Sequence, residues 1–78
     1  MREKKLTLII SFETTTQAMA MEMKCKKAGM PGRMIPLPEE VSAGCGLSWS
    51  MPPEYKEEVL AFMDENSLVY DQCCEIYF

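Results

Sequence analysis

Residues 6–29 read LTLIISFETTTQAMAMEMKCKKAG, and this stretch decides the fold. Over 6–12, Leu6, Leu8, Ile10 and Phe12 alternate with Thr7, Ile9 and Ser11. That period of two, dense in apolar residues, predicts a central strand. Thr14 followed three residues later by Gln17 is a capping-box spacing and starts a helix. The helix runs to about Ala28, and Gly29 is a natural residue to end it, because glycine accepts the left-handed turn there. Ala18, Met21, Cys25 and Ala28 recur at spacings of three and four and give one apolar stripe. Met19, Met23 and Met30 are expected to widen it as core fillers, a common use of methionine. Cys25 belongs to the same stripe and reads as a small buried residue.

Outward from this unit, Pro31 blocks further helix. Residues 33–37 (RMIPL) predict a short strand at a sheet edge, where proline is tolerated. Leu47, Trp49 and Met51 then alternate with Ser48 and Ser50, a third strand with its polar side expected toward water or a partner. Pro52 and Pro53 end that strand and open a second helix, with Glu54 favourable near its positive end. Tyr55, Val59, Phe62 and Met63 make its buried stripe, Lys56, Glu57, Glu58, Asp64 and Glu65 face out, and Asn66–Ser67 close it. Residues 68–70 and 73–78 read as extended, interrupted near Asp71–Gln72.

The order is therefore β-α-β-β-α-β, the α+β ferredoxin-like arrangement: a four-stranded antiparallel sheet with both helices on one face. Its other face is expected to carry Thr7, Ile9, Ser48 and Ser50, and is where a homodimer would form. Seventy-eight residues make a single domain spanning 1–78. A chain of that size buries only about 60% of its unfolded surface.

With 47% hydrophobic and 26% charged residues the composition is that of an ordinary globular protein. A net charge of −4 counts against nucleic acid, which requires clustered cations to displace counterions. Only Lys4, Lys5, Lys24, Lys26 and Lys27 cluster at all. No stretch approaches the roughly 20 apolar residues of a membrane span. The basic, then apolar, opening at 1–12 lacks the length and cleavage site of a secretory signal. The expectation is a cytoplasmic protein whose four cysteines are reduced thiols. There is no CxxC and no histidine, so the usual zinc spacings are absent and no metal or cofactor is expected.

Chemistry is expected in residues 36–47, PLPEEVSAGCGL. Pro36 and Pro38 stiffen the entry, while Gly44 and Gly46 flank Cys45 and free the backbone around it. A thiol there is open to approach and close to backbone N–H groups, which favour the reactive thiolate. The chain has no histidine to pair with this cysteine as a hydrolase would require. Cys73 and Cys74, adjacent in a strand, point to opposite faces. One of them could act as a resolving thiol if the strand lay near the loop.

AGMPGRMIPLP (residues 28–38) together with SAGCGL (42–47) resembles a family of small bacterial selenium/sulfur (Se/S) carrier-like proteins, over about residues 8–77. The resemblance implies that Cys45 holds sulfur as a persulfide or selenium as a selenosulfide, with Ser42, Gly44, Gly46 and Arg33 in support. It implies as partners a donor such as a cysteine desulfurase and an acceptor enzyme. The chain departs from the family pattern at Glu39, where arginine is common, and at Gly44, where serine is. With Glu40 the loop entry is acidic, which opposes a thiolate. Two alternatives stand beside the carrier. One is a non-catalytic small-ligand-binding or regulatory dimerisation module on the open sheet face. The other is a soft-metal site of Cys45 with Cys73 or Cys74.

Overall fold

The computed structural model describes residues 5–37 and 46–77. Its strands are β1 (Leu6–Ser11), β2 (Arg33–Pro36), β3 (Leu47–Met51) and β4 (Gln72–Tyr77). Helix α1 (Thr15–Ala28) joins β1 to β2. A 3₁₀ turn (Pro53–Tyr55) runs into α2 (Lys56–Glu65) between β3 and β4. The sheet order is β2-β3-β1-β4 with every neighbouring pair antiparallel, which is the ferredoxin-like order.

Local chemistry explains the boundaries. Thr14 Oγ1 accepts from the Gln17 N–H at 3.2 Å, and Gln17 Oε1 accepts in return from the Glu13 N–H at 3.1 Å. The return bond falls one residue earlier than in the usual capping box, yet still closes the turn from both sides. At the other end Gly29 takes φ +74°, and the N–H groups of Gly29 and Met30 bond the carbonyls of Lys26 and Cys25. α2 ends in the same motif, with Ser67 at φ +55° and Leu68 donating to Met63.

On the helix-covered face Leu8, Ile10 and Phe12 from β1 meet Trp49 and Met51 from β3. Ala18, Met21 and Cys25 from α1 and Val59 and Met63 from α2 complete the core. Tyr55 and Phe62 pack on it half-buried. Met19 and Met23, expected in the core, are instead 63% exposed, and Ala28 is exposed too. The sheet takes one narrow stripe of α1, and 18, 21 and 25 already fill it.

The opposite face carries Thr7, Ile9, Ser48 and Ser50, as the alternation predicts, with Arg33, Ile35, Cys74 and Ile76 beside them by register. The polar side of β3 does not face water: Ser48 and Ser50 are buried. Their hydroxyls donate to the carbonyls of Ile35 and Arg33 on the neighbouring strand, each at 3.4 Å. Ile9 and Ile35 form a second small cluster here with Leu37, Cys74 and Ile76. Residues 68–70 add no strand. The chain rejoins the sheet when the Asp71 N–H bonds the Ser11 carbonyl at 2.7 Å.

Candidate functional site

Ser42, Gly44 and Cys45 lie outside the described residues, as do Glu39 and Glu40. The described structure supplies the frame on which that segment is mounted. β2 and β3 form an antiparallel ladder pairing Arg33 with Ser50, Met34 with Trp49, Ile35 with Ser48 and Pro36 with Leu47. One step further, the Leu37 N–H donates to the Gly46 carbonyl at 2.9 Å. Leu37 and Gly46, the described residues on either side of 38–45, are thus one hydrogen-bonded pair, and Cys45 precedes Gly46 in sequence.

Gly46 has φ +73°, a left-handed angle that favours glycine. A Cβ built on it would meet no atom of the described residues within 4 Å. Arg33 sits at the other end of the same ladder. It is four residues from Leu37, or about 13 Å at the usual strand rise. The structure thus puts Gly46 at the root of the cysteine segment and Arg33 at the far end of its supporting strand.

The other thiols are set differently. Cys25 is fully buried, its Sγ 3.7 Å from the Met21 sulfur, and burial pushes its pKa up to about 11. Cys73 shares the helix-covered face with Ile10 and Trp49. Burial raises its pKa, Lys56 pulls the other way, and Cys74 and Glu75 push it further up. Cys74 lies on the opposite face beside Ile9 and is raised by burial. The adjacent pair does point to opposite faces, and both side chains are half-buried. Neither of them, nor Cys25, is tuned toward the thiolate.

Two features were not anticipated. The outer face of α1 holds a shallow apolar groove of about 500 Å³ lined by Thr16, Met19, Ala20, Glu22 and Met23. The 18/21/25 stripe could have revealed it, since it leaves 19 and 23 pointing outward. The second is Trp49, whose buried Nε1 has no hydrogen-bond partner among the described residues. It lies against Gly32, where φ is +117° and an added Cβ would fall 2.5 Å from both Nε1 and the Ser50 carbonyl oxygen.

Among the described residues no group of three or more His, Cys, Asp or Glu could hold a metal ion. No helix among them is long and apolar enough to cross a membrane. A family model described as "Putative Se/S carrier protein-like" matches residues 7–75. No curated protein and no solved structure matches the chain. The chain belongs to the Se/S carrier protein-like family.

Proposed function

We propose that the chain carries sulfur or selenium on Cys45 between a donor such as a cysteine desulfurase and an acceptor enzyme. The observation that carries this reading is the family match over residues 7–75, which contains the Gly-Cys-Gly segment. The Leu37–Gly46 hydrogen bond supports it by anchoring the residues on either side of the cysteine segment to the β2–β3 ladder.

Loading is a thiol exchange. The Cys45 thiolate attacks the outer sulfur of the donor's cysteine persulfide, forms a new S–S bond and expels the donor thiolate. Cys45 becomes a persulfide, and no external oxidant is consumed. For selenium the transferred atom is selenium and the product a selenosulfide. Backbone N–H groups at Gly44 and Gly46, and the Ser42 hydroxyl, are the groups proposed to favour the thiolate. Arg33 is the only cation between residues 28 and 55 and supplies positive charge to the same hairpin. With no histidine in the chain, no resident imidazole can direct the loaded sulfur to hydrolysis. The protein is a carrier in this reading and not an enzyme that turns over.

The alternative module on the open sheet face has less to stand on, since Ile9, Ser11 and Ser48 there expose no surface. The deciding measurement is intact mass after incubation with a cysteine desulfurase, its coenzyme and cysteine. Wild type is expected to gain one sulfur atom, about 32 Da, removable by reductant, and Cys45→Ser to gain none. An equal gain on the variant, or no gain on wild type, overturns the assignment.

A further inference from the structure

We propose that two copies of the chain pair edge to edge through β4, antiparallel and centred on Cys74, to make one continuous sheet. This pairing is independent of the carrier reading.

The two edges of the sheet are built differently. β2 is four residues long and holds an exposed Arg33 and Pro36, which has no N–H to offer a further strand. Short length, a cation and a proline are common means of closing an edge. β4 has six residues, QCCEIY, with no proline, lysine or arginine. Among the described residues no strand lies beyond it. On the face away from the helices, Cys74 and Ile76 carry the Ile9–Ile35 cluster out to this edge and end there half-buried. A strand added here would cover them.

The strand that fits is the same strand of a second copy. With the helices of both copies on one side of the joined sheet, the two-fold axis passes between identical residues, and facing residues share a face. Only centring on Cys74 (pairing 72–76) or on Glu75 (pairing 73–77) uses five of the six residues. Centring on Glu75 sets that carboxylate against its own copy, which is destabilising. Centring on Cys74 faces Glu75 of one copy with Cys73 of the other, and Ile76 with Gln72. Lys56 lies near enough to Cys73 to draw its pKa down. The incoming Glu75 therefore meets a cation, and the symmetry makes this pair twice. Turning one copy over puts its Glu75 on the side of the Cys74 and Ile76 strip, an apolar setting for a charge.

The chosen register also has a chemical readout. Directly opposed residues of antiparallel strands have Cα atoms about 4.5 to 5.5 Å apart, inside the span of a disulfide. The two Cys74 thiols, on one face, are thus within bonding reach.

The test follows the mass of the full chain in reductant by light scattering through a concentration series. A particle of twice 8.9 kDa is expected. Glu75 and Lys56 are both exposed, so their charges can be reversed without disturbing the core. Glu75→Lys should weaken the dimer roughly tenfold, and adding Lys56→Glu should restore it. Diamide then oxidises the Cys45→Ser variant, which keeps the loop thiol out of the reaction. Two thiols lose two electrons and two protons, which reduce diamide to its hydrazine, and an S–S bond joining Cys74 to Cys74 is expected. A monomer at every concentration overturns the proposal. So does a dimer that the charge reversals leave unchanged, or one crosslinked through Cys73 and not through the Cys74 pair.

Discussion

Each strand of the β2–β3 hairpin is preceded by a glycine with positive φ, yet the two are there for different reasons. Gly32, just before β2, has φ +117°, and a Cβ on it would collide with the Ser50 carbonyl oxygen and Trp49 Nε1. Gly46, just before β3, has φ +73°, and among the described residues nothing lies within 4 Å of where its Cβ would be. The first is glycine because a neighbouring strand leaves no volume; the second only because of its backbone angle. Glycine against the core reports close packing. Glycine at the root of the cysteine segment reports a change of chain direction.

Substitution separates the two. Gly32→Ala combines an unfavourable backbone angle with overpacking against backbone, and is expected to cost about 3 to 5 kcal/mol. A chain of 78 residues has a total of only about 4–12 kcal/mol. In urea titrations this variant should lose most of its cooperative transition, and a midpoint close to wild type would show that the crowding is easily relieved. Gly46→Ala should cost about 1 kcal/mol, the backbone penalty alone. It should keep its capacity to take up sulfur, whereas a loss as large as that of Gly32→Ala would erase the contrast.

The smallest expected effect is a coupling. Trp49→Phe removes the Nε1 that the methyl group introduced by Gly32→Ala would strike. The cost of Gly32→Ala should therefore fall by about 1 kcal/mol in that background. A double-mutant cycle measures it. Strict additivity would assign the whole penalty to the Ser50 carbonyl and the backbone angle.

The fold was legible in the sequence to the extent that local chemistry decides it. The alternation in β1, the Thr14 and Gly29 caps and the two prolines before α2 each act within a few residues, and each appears in the structure. What could not be read depended on distant partners. Met19 and Met23 are as apolar as Met21, and only the packing of α1 on the sheet decides which of them is covered. The alternation in β3 identified which side Ser48 and Ser50 occupy. It could not show that carbonyls of β2 receive their hydroxyls, so that they need no water. Residues 68–70 have the composition of a strand but no partner strand. At the site, Cys45 stood out through its glycine neighbours.

The sheet register also bears on how the molecule comes into being. β1 is the first strand of the sheet to be made and lies inside it, yet one of its two neighbours is β4, and Ser11 bonds Gln72 across 61 positions of chain. During synthesis α1 can wind and β3 can take its place, but one edge of the most apolar strand stays unpaired until residues 72–77 have emerged. A sheet closed by its last strand folds late, and contacts of such long range are slow to form. The nascent chain therefore carries an open, apolar strand edge while everything between Ser11 and Gln72 is being made.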